Sequence, residues 1–237
     1  MISVAIFTFK RFDILMNCIN SLKCKHIGEI LIFNDDEEKY MKETDFNIEY
    51  PIRVFNPADF GYKDRIFRKP KYMNLAIELI KFDKILFTDD DGLFAENTID
   101  LHYQYLKKYE FVVGSIIRDK WLRKKSKTIL QGTNYSFHKK FFIDVGGYNE
   151  EFIESSGGGD PELWYRIYNK VNADNLQVAF LSNALQTVIS KTKRVKNKNN
   201  VSPKEIFENI HGFCPKGPMY RWFPNIRNKT RWMDVIE

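Results

Sequence analysis

Three adjacent carboxylates, Asp89, Asp90 and Asp91, close the apolar run 84–88. At the end of a buried strand they repel one another, and a counter-ion relieves that repulsion. A hard divalent cation, Mn2+ or Mg2+, suits such oxygen ligands and bridges readily to phosphate. In extended backbone Asp89 and Asp91 share one face and Asp90 takes the other. One pair could therefore hold a metal, directly or through water, while the third orients a sugar or ribose hydroxyl. A solvated acidic turn is the plainer alternative.

The second constellation is Gly157-Gly158-Gly159-Asp160-Pro161-Glu162-Leu163-Trp164. Consecutive glycines let a backbone approach a ligand closely and adopt positive φ. The spacing predicts a helix over 161–169, with Asp160 at its N-cap, Pro161 at its first position and Glu162 in its first turn. Capping accounts for Asp160. It does not account for the glycines.

The elements that must position these groups alternate. Ile2–Thr8 is a β-rich apolar run, and 12–23 follows with Ile14, Leu15, Cys18, Ile19 and Leu22 at helical spacing. Strands are predicted at 29–33, Ile52–Phe55, 84–88 and 111–117, and helices at 72–82 and 98–107. That alternation predicts an α/β fold with a mostly parallel central sheet flanked by helices. Ligands collect outside the carboxyl ends of such strands, and both Asp35/Asp36 and Asp89, Asp90 and Asp91 stand at strand carboxyl ends. The two acidic clusters are thus expected on one rim. Beyond residue 128 the pattern loosens.

The ordered set of motifs over residues 2–170 resembles the inverting glycosyltransferases of the GT-A (nucleotide-diphospho-sugar transferase) fold, closest in pattern to family 2. Ile2-Ser3-Val4-Ala5-Ile6-Phe7-Thr8-Phe9-Lys10-Arg11 is similar to that family's opening strand and nucleotide loop. Ile32-Phe33-Asn34-Asp35-Asp36 resembles its second strand with paired acids, and Lys71-Tyr72-Met73-Asn74-Leu75-Ala76 its basic-Asn-Ala helix. Phe87-Thr88-Asp89-Asp90-Asp91 matches the metal-binding Asp-x-Asp position. Val145-Gly146-Gly147-Tyr148-Asn149-Glu150 resembles the Gly-Gly-Phe-Asp-Glu segment, and Gly158-Gly159-Asp160-Pro161-Glu162-Leu163 the Glu-Asp motif of the catalytic base. Gly159 stands where the family often has Glu, and Asn149 where Asp is usual.

The resemblance implies a metal-dependent inverting transfer from a nucleotide-diphosphate sugar, UDP favoured, to a hydroxyl of a glycan or glycolipid. Asp160 is the implied general base. Thr8, Phe9, Lys10, Arg11, Asp35, Asp36, Arg68, Lys71, Asn74, Asp89 and Asp90 are the implied donor-nucleotide residues. Asp91 and Asp89 are the implied ligands of Mn2+ or Mg2+, with His211 as a late third ligand, and Gly158, Gly159, Glu162 and Trp164 are assigned to the acceptor. Residues 1–190 would form the catalytic domain, with 1–95 its nucleotide-sugar half and 96–190 its acceptor half, and 191–237 a basic, aromatic extension or lid.

Charge and composition narrow the alternatives. Residues 1–187 carry 26 Lys/Arg against 27 Asp/Glu, while 188–237 carry 11 against 4. A near-neutral body with an acidic rim opposes a long phosphate track, so no nucleic acid partner is expected. The basic run from Lys191 to Lys198 is either a solvated loop or a contact for an anionic membrane surface. A nucleotidyltransferase is expected to carry a glycine-rich loop after its first strand, and Thr8-Phe9-Lys10-Arg11 contains no glycine. No stretch approaches 18 apolar residues, and the first residues run straight into the strand pattern without a basic leader. Cysteines 18, 24 and 214 have no metal-binding spacing. A cytoplasmic setting is expected, at the inner face of a membrane if the basic run makes that contact.

Overall fold

A computed structural model describes residues 1–62, 68–118, 132–154, 159–189, 202–213 and 234–236. The first strand, β1 (Ile2–Thr8), is buried along its whole length, as an apolar run with helices over both faces must be. Helix α1 (Phe12–Ser21) follows, then β2 (Ile27–Asn34), β3 (Ile52–Phe55), α2 (Lys69–Leu79), β4 (Lys84–Asp89), β5 (Gly92–Phe94) and α3 (Thr98–Tyr105). The second half supplies β6 (Phe111–Arg118), β7 (Tyr135–His138), α4 (Lys139–Asp144), α5 (Gly159–Asp174), β8 (Val178–Val188), α6 (Pro203–His211) and β9 (Asp234–Ile236).

The strands form one sheet in the order β3-β2-β1-β4-β7-β6-β8-β5, with β9 pairing β8. The sheet is mixed, with five parallel and three antiparallel pairings among the described strands. β1 pairs β2 and β4 in parallel, β2 pairs β3 likewise, and β6–β8 and β8–β9 are parallel. Strand β7 runs antiparallel between β4 and β6, and β5 lies antiparallel on β8. The reversal at β7 sets Tyr135 opposite Phe87. It thereby brings residues 132–135 to the carboxyl end of β4.

Two cores flank the sheet. One joins Phe87, Phe111, Tyr135 and Phe137 to α2, α4 and α5 through Met73, Phe142, Trp164 and Ile167. The other packs α1 and α3 through Leu15, Ile19 and Ile99. Period-2 alternation along β4 assigns Phe87 and Asp89 to the first face and Leu86 to the second. Helix α6 packs Ile206 and Phe207 against Phe152 and Tyr165, so residues 203–211 lie on the body.

A buried polar bracket fixes the start of β7. Asn134, at φ +56°, donates its amide to Ser115 O and Ala184 O. Its Oδ1 is therefore the acceptor for His102 Nε2 at 3.0 Å, which leaves His102 Nδ1 to accept from Ser136 Oγ at 2.8 Å. Burial lowers the imidazole to about 4, with the Asn134 hydrogen bond opposing.

Candidate active site

The rim at the carboxyl ends of β1 and β4 carries two ion-pair systems on opposite faces. On one, Asp90 is fully buried and accepts from Thr8 Oγ1 at 2.7 Å and Arg11 Nε at 3.1 Å. Arg11 also donates Nη2 to Asp90 Oδ1, and its Nη1 reaches Asp91 Oδ2 at 3.2 Å. Burial raises the Asp90 carboxyl to about 7; Arg11 and Thr8 oppose that rise, and Asp89 and Asp91 add to it. Thr8, Arg11, Asp90 and Asp91 thus form one cluster, built by the turn after β1, where Lys10 takes φ +56°.

On the other face Asp89 accepts from Lys69, the first residue of α2, and Lys69 Nζ also donates to Gly132 O at 3.1 Å. Burial would lower the Lys69 ammonium, but the carboxylates of Asp89, Asp160 and Asp91 outweigh it and raise it. Below Asp89 lies a buried hydroxyl–amide network. Thr133 Oγ1 accepts from Asp89 N at 3.1 Å and donates to Gln186 Oε1 at 3.0 Å, and Gln186 Nε2 donates to Thr88 Oγ1 at 2.6 Å. Lys69 therefore stands as a cation among three carboxylates, in the electrostatic reach of both Asp89 and Asp160.

Asp160 is the second residue of α5 rather than the residue preceding the helix. Its Oδ1 accepts from Tyr148 Oη at 2.6 Å. Gly132 approaches the same carboxylate so closely that a Cβ there would overlap both its oxygens, and a Cβ on Gly159 would overlap the Tyr148 ring. The Tyr148 turn is set by Gly146 (φ +84°) and Gly147 (φ +66°), which need glycine's left-handed freedom. Asn74 clamps the turn: its Oδ1 accepts from Tyr148 N at 2.7 Å, and its Nδ2 donates to Tyr148 O and Glu150 Oε1, both at 2.9 Å.

The remaining residues singled out in the sequence fall in three places. Asp35 accepts from Arg68 N at 3.0 Å and Arg68 Nη1 at 2.9 Å, and Arg68 also pairs with Glu37. Burial raises Asp35 to about 6, against the Arg68 contacts. Asp36 is buried and accepts from Glu38 N at 3.1 Å, while Lys10 pairs with Glu38 at 2.8 Å beside the exposed Phe9 ring. Lys71 and Arg68 lie over the Tyr62 ring at 5.5 and 5.4 Å.

Glu162 and Trp164 do not face the rim. Glu162 is fully buried under bidentate pairing from Arg166 at 2.7 and 2.8 Å, and Trp164 is 1% exposed in the core. His211 joins Glu162, with Nε2 3.1 Å from Oε1 and its ring on Tyr165. Gly158 and the run 191–198 lie outside the described residues. Lys69, Gly132 and Tyr148 belong to this site although the sequence did not single them out for it. Only the glycine pair before Tyr148 signalled one of them.

The carboxylates of Asp89 and Asp91 are hard oxygen donors with partial exposure, 26% and 15%. Among the described residues no cluster of three or more His, Cys, Asp or Glu side chains could hold a metal. Mg2+ is commonly held by one or two protein carboxylates with water and substrate phosphate completing its shell, and Asp89 and Asp91 are donors of that kind.

No family model matches the chain. Solved structures match its fold. S. aureus TarS, residues 1–349 in complex with UDP-GlcNAc, is 12% identical with a TM-score of 0.61 over 87% of this chain and 63% of that one. The mannosyltransferase PcManGT from Pyrobaculum calidifontis, in complex with GDP-Man and Mn2+, is 11% identical with a TM-score of 0.59 over 81% and 58%. GalNAc-T7 with UDP, GalNAc and Mn2+ is 15% identical with a TM-score of 0.62 over 86% and 46%. These are GT-A-type structures, and the chain has the GT-A fold. It spans 46% to 63% of their lengths.

Proposed function

We propose that the chain is a glycosyltransferase that moves a sugar from a nucleotide-diphosphate donor to an acceptor hydroxyl with inversion. The supporting observation is the meeting of Asp160 and Asp89 around Lys69 on one face of the rim, in a fold shared with structures holding UDP-GlcNAc and GDP-Man.

Asp160 is the general base. Tyr148 holds Oδ1, leaving Oδ2 to take the proton of the acceptor hydroxyl. The acceptor oxygen forms its bond to the anomeric carbon as the bond from that carbon to the diphosphate oxygen breaks. The electron pair leaves with the nucleoside diphosphate, and one displacement inverts the centre. Lys69 and Arg11 supply positive charge beside the leaving group, where fixed charge lowers the barrier most. Asp91, or Asp89 on the neighbouring face, would hold a divalent cation together with water and phosphate, and the chemistry it would supply is Lewis-acid neutralisation of the diphosphate. Asp35 and Arg68 line the end of β2, where the nucleoside lies. The favoured nucleotide is UDP and the acceptor a glycan or glycolipid.

A thermal-shift panel of nucleotide sugars, with and without Mn2+, tests the reading, because a ligand of the native state raises Tm. A metal-assisted rise with one nucleotide class is expected. A flat panel, together with no release of nucleoside diphosphate, defeats it.

A further inference from the structure

One polar atom in this neighbourhood has no assigned partner. The phenol oxygen of Tyr135 is buried and makes no hydrogen bond among the described residues. Buried hydroxyls are normally paired, and an unpaired one is retained at a cost to stability. The ring is fixed edge-on by Trp164 at 5.5 Å and Phe87 at 5.7 Å, and it lies 5.9 Å from Phe111. Packing alone would be served as well by phenylalanine, the residue found at neighbouring core positions 87, 111 and 137.

The surroundings say what the hydroxyl faces. Tyr135 opens β7, beside Thr133 and Gly132, and stands opposite Phe87, two residues before Asp89. Burial raises the phenol well above its usual range, and the charges of Asp160 and Asp89 add to that. The proton therefore stays on the oxygen, and the charges that act on it, Asp160 and Asp89, belong to carboxylates that can only accept. A ligand group fitting there must give a hydrogen bond to a carboxylate and receive one from the phenol. A sugar hydroxyl does both. A phosphate oxygen, negatively charged and without a proton, would face two carboxylates.

We infer that Tyr135 Oη is a donor-sugar contact, hydrogen-bonding a hydroxyl of the transferred sugar whose own proton goes to Asp89 or Asp160. This rests on the proposed function and adds to it a contact that distinguishes the sugar from its nucleotide carrier.

Tyr135→Phe tests it, by calorimetric titration of wild type and variant with the nucleotide sugar that wild type binds best and with its nucleoside diphosphate. The variant is expected to lose about three- to tenfold in affinity for the nucleotide sugar, the scale of one neutral hydrogen bond. Its affinity for the nucleoside diphosphate should be unchanged, which also certifies its fold, and its Tm should equal or exceed that of wild type. Equal affinity of wild type and variant for the nucleotide sugar overturns the contact while leaving the proposed function standing. Parallel losses for both ligands overturn it too, since the hydroxyl would then serve the nucleotide or the fold. A wild type that binds neither ligand removes the functional reading and this contact together.

Discussion

Tyr148 Oη donates to Asp160 Oδ1 at 2.6 Å, and the same ring fills the space that a side chain at residue 159 would need. The departure from the Glu-Asp pattern at Gly159 has a steric reason. The Tyr148 hydroxyl reaches Asp160, and ring carbons that phenylalanine would share exclude a side chain at 159.

Tyr148→Phe should lower kcat by about tenfold or more, because a hydrogen bond to a charged acceptor is worth about 1.5–3 kcal/mol. KM for the nucleotide sugar should stay within about twofold, because Tyr148 touches Asp160 and not the donor. Steady-state kinetics on the purified variant decides this. An unchanged kcat would detach Tyr148 from the base.

Asp160→Asn should cut turnover by roughly two to four orders of magnitude while nucleotide binding survives. Gly132→Ala gives an independent approach to the same carboxylate. Its methyl group meets the mobile end of Asp160 rather than backbone, so turnover should fall far more than Tm. Comparing kcat with melting temperature for both variants separates displacement of the base from damage to the fold. A variant lacking the Asp160 carboxylate with near-normal kcat would sink the assignment.

Asn74→Ala removes the clamp on the Tyr148 turn. Two backbone groups of Tyr148 lose their partner, at about 1–3 kcal/mol for each group left unsatisfied. Urea unfolding should show that loss, and Asn74→Asp should recover part of it by keeping the acceptor for Tyr148 N. Equal stability of wild type and Asn74→Ala would mean that water replaces the amide.

Chelation bears on the acidic rim. EDTA should abolish turnover and Mn2+ restore it, with Asp91→Ala raising the Mn2+ concentration needed for half-maximal rate by about tenfold or more, the scale of a lost charge-assisted contact. Full activity in EDTA would assign the leaving-group charge to Lys69 and Arg11 alone.

His102 gives the fold a proton-linked weakness. The unfolded imidazole protonates near 6.5 and the folded one only near 4. As pH falls through that window the unfolded state binds more protons, so stability drops, with about 2 kcal/mol lost from this group by pH 5. Urea midpoints at pH 7 and pH 5 measure it. His102→Gln should be less stable at pH 7 and show a shallower fall. An identical slope in the variant would clear His102.

Much of the rim could be read in the sequence because strand carboxyl ends are marked locally. Apolar runs stop at Asp35 and at Asp89, and β1 and β2 neighbour β4 and β3 as a parallel α/β pattern requires. What could not be read depends on a long-range event, the insertion of four-residue β7 between β4 and β6. That insertion delivers Gly132, Thr133 and Tyr135 to Asp89, and no local periodicity encodes it. Trp164 and Glu162 stand inside a motif that resembles an acceptor loop. The helical spacing of Leu163, Trp164, Ile167 and Val171 nonetheless turns that face to the core, and Glu162 is buried with its partners. Lys69 carries no mark in the sequence because its importance lies in the reach of its stem across to β4, which residue spacing along α2 does not express.

Trp164 carries one more consequence. The chain has four tryptophans, and this one is held at 1% exposure, edge-on to Tyr135 with 5.5 Å between ring centres. With Trp121, Trp222 and Trp232 replaced by phenylalanine, its ultraviolet emission becomes an intrinsic, label-free optical reporter of that tyrosine's surroundings. Stopped-flow mixing could then time ligand arrival in milliseconds, before any product accumulates.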